Sequence, residues 1–172
     1  MLSSDLRARR EVIVREHLES ENAHEFDRTI ATFEYPRYEL IATGDVCDGG
    51  EAVRGYFGES RRAFPDQRNE LIALHHADDA VIAEVEILAT HLGPLRALPP
   101  TGRVVRCRMS AHFLFQDDRL TCQRGYFDQL TIMHQLGLAH DSSSLAGRLT
   151  TLVSHPLIIG RAAARRASRS RS

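Results

Sequence analysis

Between residues 67 and 132 the chain alternates apolar and polar side chains in four runs, 67–76, 80–92, 104–115 and 120–132. Alternation with period two is the mark of strands that bury one face. The first two runs meet at Asp78-Asp79 and the last two at Asp117-Asp118, and short acidic breaks of this kind favour tight turns. Two long antiparallel hairpins are therefore expected, joined by the loop from Gly93-Pro94 to Pro99-Pro100-Thr101-Gly102. The preceding residues read as helices. Leu6, Ile13 and Leu18, with Val12 and Val14, form an apolar stripe among Arg and Glu, which breaks around Ser20. Asn22 and Glu25 have the spacing of a capping box ahead of Phe26, Ile30 and Phe33, and Pro36 closes that second helix. A short strand over 38–43 turns at Gly44-Asp45 towards Val46 and Cys47. A third helix then carries Val53, Tyr56, Phe57 and Phe64 up to Pro65. The expected fold is α+β, with three N-terminal helices packed on a strongly curved, mostly antiparallel sheet.

At 172 residues there is room for one core. Twenty-three acidic residues balance 22 basic ones, all of them arginine. Nucleic-acid binding is not expected, because neutralising phosphates requires a basic surplus. Three cysteines without paired spacing give neither a disulfide framework nor a zinc site. No apolar run approaches the length of a membrane span, and the charged first 15 residues do not resemble a secretory leader. A cytoplasmic domain is the expectation. It covers residues 1–138, and 139–172 form an extension: a short helix over 142–154, an apolar stretch over 156–164, and a tail over 161–172 holding five arginines. That tail reads as solvated chain or as a weak contact for an acidic partner.

Parity assigns the faces. Ile72, Leu74, Val81, Ala83, Val85, Ile87 and Ala89 form the inner face of the first hairpin, and His91 continues it at the strand end. His91 reads either as a core histidine or as a polar group at the edge of an apolar cup. In the second hairpin Cys107, Met109, Ala111, Phe113 and Phe115 face inward. A two-residue turn at Asp117-Asp118 sets Asp128, Tyr126, Arg124, Cys122 and Leu120 opposite them, with Leu130 and Ile132 following. A carboxylate among apolar neighbours must be paired or carry a raised pKa. Asp128 is therefore either one half of a buried ion pair with Arg124 or an acid/base, with Tyr126 placed to hold a substrate oxygen. A bulge or a one-residue slip would turn Asp128 outward. Val85, Ile87, Met109, Phe113, Arg124 and Leu130 would line the substrate pocket.

Four stretches carry a resemblance: Ala63-Phe64-Pro65-Asp66, Thr90-His91-Leu92-Gly93-Pro94-Leu95, Pro99-Pro100-Thr101-Gly102-Arg103, and Tyr126-Phe127-Asp128 followed by Gln135-Leu136-Gly137. In their order and spacing the chain resembles the SnoaL-like polyketide cyclases, or ester cyclases, of the nuclear transport factor 2-like superfamily. The resemblance spans about residues 10–138. It implies a cone of helices on a curved sheet with a pocket at the open end. It also implies a homodimer through the outer sheet face, where Ile82 and Leu88 fall. In such cyclases an aspartate on the last strand removes a proton activated by flanking carbonyls, and the enolate closes a ring by aldol attack. Asp128 matches that position, with His91 as a pocket partner. Neither a metal nor an organic cofactor is implied. The expected activity is a cyclase or isomerase acting on a small apolar carbonyl compound, polyketide- or steroid-like. The alternatives are an epoxide hydrolase-like enzyme and a non-catalytic ligand-binding or dimerisation module.

Overall fold

The structure is a computed structural model that describes residues 3–139. Its elements are α1 (Ser4–Asn22), α2 (Phe26–Ala31), β1 (Arg37–Leu40), β2 (Asp45–Asp48), α3 (Gly50–Ala63), β3 (Arg68–His76), β4 (Ala80–Thr90), β5 (Val104–Gln116), β6 (Arg119–Phe127) and α4 (Gln129–Leu136). The strands form one six-stranded sheet in the order β2-β1-β6-β5-β4-β3. Every pairing is antiparallel except β1 with β6. This is the expected α+β arrangement, and the three N-terminal helices are present. The expected helix over 142–154 and the basic tail lie outside the described residues.

The core sits between the sheet and α1, α2 and α3. Val14 and Leu18 from α1 and Val53 and Phe57 from α3 meet Val81, Val85, Ala111, Phe113 and Leu120 of the sheet. The buried stripe of α1 is more polar than the apolar pattern suggests. Arg10, Val14, His17 and Glu21, spaced by three and four residues, are all buried, whereas Val12 is 66 % exposed. Arg10 fixes the helix to both hairpin tips. Its Nε donates to the Asp117 carbonyl at 2.7 Å and its Nη1 to the Asp78 carbonyl at 3.0 Å, while the guanidinium lies over the Phe115 ring.

Four expectations are corrected. Helix α1 runs through Ser20 to Asn22. Asn22 does not cap α2, which starts after Glu25 without a side-chain cap; its carboxamide instead pairs with both backbone groups of Asn69 on the edge strand β3 (2.9 and 2.7 Å). A bulge at Ile72 shifts the β3 register, so Leu71 faces Val85 and Leu74 faces Ala83. Ile72 is thereby turned out to solvent and Asn69 into the core. Lastly, β6 stops at Phe127, and residues 129–136 form a helix rather than further strand.

Past the end of β6, Gln135 of α4 does for β5 what Asn22 does for β3. Its Oε1 accepts from the Arg106 N–H at 2.7 Å and its Nε2 donates to the Arg106 carbonyl at 2.9 Å. One carboxamide thus stands in for a neighbouring strand at each of these two places, as buried and edge backbone groups require.

Glycine is required at one close approach. A Cβ on Gly93 would lie 1.9 Å from the Arg62 carbonyl oxygen at the end of α3, where the Leu92 and Gly93 amides both donate to the Ala63 carbonyl. Gly58, on the exposed side of α3, has open space where its Cβ would be. Gly93→Ala should therefore destabilise the fold by about 1–3 kcal/mol, and Gly58→Ala should stabilise it by roughly 0.5–1 kcal/mol. Thermal unfolding of the two variants beside the parent checks both signs.

Candidate functional site

The turn at Asp117-Asp118 closes as expected, with Gln116 opposite Arg119 and Phe115 opposite Leu120. One residue later the ladder slips. Leu114 pairs with Cys122, so Thr121 is the extra residue, and its hydroxyl donates to the Leu114 carbonyl at 3.1 Å. From there on, parity is reversed relative to the expectation. Gln123, Gly125 and Phe127 take the inner face, opposite Phe113, Ala111 and Met109. Arg124 and Tyr126 take the outer one.

Several expected site residues therefore move. Arg124 is not in the pocket: it forms an ion pair with Glu39 on the outer face, and that pair holds the Glu39 carboxyl below its ordinary pKa, with Arg37 assisting. Tyr126 is 40 % exposed and its ring lies 4.6 Å from, and tilted by 40° to, that of His112, whose Nε2 meets the Ser110 hydroxyl at 3.1 Å. Leu130 lies on α4 and is 60 % exposed. Asp128 is neither buried nor paired with Arg124. It precedes the first residue of α4 and caps that helix: Oδ1 accepts the Thr131 N–H at 3.1 Å and Oδ2 accepts the Thr131 hydroxyl at 2.6 Å. These two bonds hold its pKa below the ordinary carboxylate value, the reverse of the expected upward shift, so the carboxylate is ionised at neutral pH. The capping signal was present as Asp128-x-x-Thr131 followed by Ile132, Met133 and Leu136 at helical spacing.

Val85, Ile87, Met109 and Phe113 do face inward. Cross-strand rows on this face read Asn69, Ile87, Cys107; then Leu71, Val85, Met109, Phe127; then Leu74, Ala83, Ala111, Gly125, Leu40. Leu40, Leu71, Ile87, Met109 and Phe127 are only half-buried, so the apolar face stays partly open at this end. Gly125 leaves room that the Met109 Sδ and the Leu40 Cδ2 fill, each 3.6 Å from where its Cβ would be. Asp128 borders this patch, its carbonyl 3.9 Å from the Cys107 Sγ.

His91 is fully buried at the end of β4. Its ring lies 5.3 Å from that of Phe64, and its Nδ1 accepts the Thr101 N–H at 3.2 Å and contacts the Thr101 hydroxyl at 3.0 Å. In its recorded contacts it clasps the 91–103 loop.

Apolar patterning overlooked a buried polar row. His17 Nδ1 lies 2.8 Å from the Thr32 hydroxyl, which already donates to the Thr29 carbonyl at 2.7 Å. The Nδ1 must therefore carry the proton, and Nε2 accepts from the Tyr38 hydroxyl. Burial lowers the His17 pKa to about 3, with Gln123 beside it acting the other way. Burial also raises the pKa of Tyr38 and Tyr56, reinforced by the charge of Glu21. Both phenols remain donors at neutral pH. Glu21 in turn pairs with Arg61 of α3 at 3.1 Å, both nearly excluded from solvent.

The model of the SnoaL-like polyketide cyclase family matches residues 11–136. The chain belongs to that family. Among solved structures, a candidate SnoaL-like polyketide cyclase from Jannaschia sp. CCS1 is 16 % identical with a TM-score of 0.72, covering 82 % of this chain and 99 % of its own. A candidate polyketide cyclase from Xanthomonas campestris gives 18 % and 0.70, covering 76 % and 98 %. A candidate hydroxylase from Streptomyces galilaeus gives 17 % and 0.68, covering 90 % and 97 %. At these identities the likeness establishes a shared fold, the nuclear transport factor 2-like one named for a relative from Burkholderia pseudomallei. Among curated proteins nothing matches the sequence. No helix among the described residues is long and apolar enough to cross a membrane.

The neutral, buried His17 makes stability depend on pH. Its folded pKa, about 3, lies below the ordinary 6.5, so between these values the unfolded chain binds a proton that the folded one refuses. Stability should therefore fall as pH drops from 6.5 towards 3, by up to about 1.4 kcal/mol per pH unit. The paired carboxylates Glu39, Asp66 and Asp128, whose ordinary values are 4.5, 3.8 and 3.8, add their losses only below those values. Urea unfolding of His17→Gln should show a flatter profile from pH 6.5 down to about 3, with the carboxylate losses that begin near 4.5 as the remaining acid limb.

Proposed function

We propose that this chain catalyses proton transfer on a small, largely apolar carbonyl compound, in the manner of a cyclase or isomerase, with Asp128 as the base. The observation that carries the reading is the position of Asp128. It follows the end of β6 with its carboxylate ionised and its backbone carbonyl 3.9 Å from the Cys107 Sγ, at the border of the half-buried face that includes Ile87, Met109, Phe127 and Leu40. A carboxylate base does not need a strongly raised pKa when flanking carbonyls acidify the substrate proton. Each oxygen gives one lone pair to Thr131 and keeps another for the proton. Substrate covering the carboxylate would remove water from it and strengthen it as a base. In this reading the proton moves from the carbon between the carbonyls to an Asp128 oxygen. The enolate then attacks a second carbonyl of the same molecule, whose oxygen takes the proton back from Asp128, or the proton returns to another carbon. Family membership supports the class of reaction. Pairing of two copies through the outer face around Ile82 and Leu88 belongs to the same reading.

The capping bonds favour a second reading, in which Asp128 serves only α4 and the domain binds a ligand without transforming it. Asparagine caps helices about as well as aspartate but cannot take up the proton. Asp128→Asn should keep the parental Tm and lose about 10²–10⁴-fold in the exchange of α-protons of a β-keto ester with deuterated water, followed by NMR. Asp128→Ala should lose both exchange and thermal stability. Exchange at the parental rate in the Asn variant would leave the binding reading standing and end the catalytic one.

A further inference from the structure

Buried side-chain polar atoms almost always have a partner, because an unpaired one has surrendered its water for nothing. Asn69 departs from this at both ends. Neither its Nδ2 nor its Oδ1 has a hydrogen-bond partner among the described residues, and the residue is only 4 % exposed. Its backbone is satisfied by Asn22, so the carboxamide is held in place yet left unused. Arg61 adds a third such atom. Its Nη2 bonds to the carboxylate and carbonyl of Glu21, and its Nε has no partner. Both residues are tied to the last turn of α1, Arg61 to Glu21 and Asn69 to Asn22. Asn69 lies directly across the ladder from Ile87, one of the half-buried residues of the open apolar face.

We infer that the carboxamide of Asn69 is a substrate-recognition group, and that it reads a carbonyl oxygen and an enol or hydroxyl oxygen held in a 1,3 relation. The inference rests on the proposed proton-transfer function and supplies its specificity. An amide presents one donor and one acceptor side by side. A 1,3-dicarbonyl in its enol form presents the complementary pair once the enol O–H turns from its internal carbonyl partner to the amide: the carbonyl accepts from Nδ2 and the enol O–H donates to Oδ1. The Glu21–Arg61 pair is electrically balanced, so the surroundings favour a neutral ligand over a carboxylate. The Arg61 Nε, on α3, is a further buried donor without a partner among the described residues. Ile87, half-buried, is the cross-strand partner of Asn69 and belongs to the open face.

The test separates recognition from chemistry by working in the Asp128→Asn background, where binding is read without turnover. The probes are 1-phenyl-1,3-butanedione and the monoketone 4-phenyl-2-butanone, compared by calorimetric titration. The diketone should bind at least about tenfold more tightly, and adding Asn69→Leu should abolish that preference. Because leucine keeps the branched shape and removes two unpaired buried polar atoms, the Leu variant should also have a higher Tm than its parent. A preference that survives the substitution, a chain that shows none beforehand, or a Tm that falls on substitution would each overturn the inference. The α-proton exchange of the Asp128 variants is a separate readout, so failure of the catalytic reading and failure of Asn69 recognition are told apart.

Discussion

One additional residue in β6 decides what this domain can present to a ligand. The slip at Thr121 leaves the hairpin tip untouched and reverses every side chain beyond it. Had the ladder continued in register, Arg124, Tyr126 and Asp128 would have been forced among Ala111, Met109 and Cys107, and two charges would have entered an apolar layer. The bulge avoids that cost. It delivers Gln123, Gly125 and Phe127 to the inner face and sends Arg124 out to Glu39. The one-residue slip at Ile72 has the complementary effect on β3, where it replaces an isoleucine with Asn69 on the inside. The two bulges thus put Gln123 and Asn69 on the inner surface.

Reversal also explains why the strand ends where it does. With Phe127 inward opposite Met109, the chain has no further partner on β5 except through a side chain, and Gln135 supplies it. Asp128 opens the helix that carries Gln135, so the same carboxylate proposed as a base also sets the position of α4. Structure and chemistry share an atom group there.

Most of the architecture was legible. Period-two alternation located β3, β4 and β5, the acidic pairs located both turns, and the prolines and helical spacing located α1 to α3. What escaped was whatever breaks a period. A bulge has no compositional mark when the extra residue is an ordinary Thr121 or Ile72. Asp128 therefore passed as a strand residue, although Thr131 three positions on signalled a cap. The buried polar row escaped for another reason: His17, Glu21 and Arg61 occupy helix positions that an apolar template counts as misses. Val85, Ile87, Met109 and Phe113 fall on the expected face because the extra residues sit on β3 and β6, leaving β4 and β5 without one.

The two carboxamides that finish the sheet have a bearing on how copies of this chain can meet. Asn22 occupies both free backbone groups of Asn69 on the outermost long strand, and Gln135 occupies those of Arg106 where β6 has run out. A foreign strand arriving at either place finds the donors and acceptors already engaged, so open-ended growth by ladder extension is blocked there.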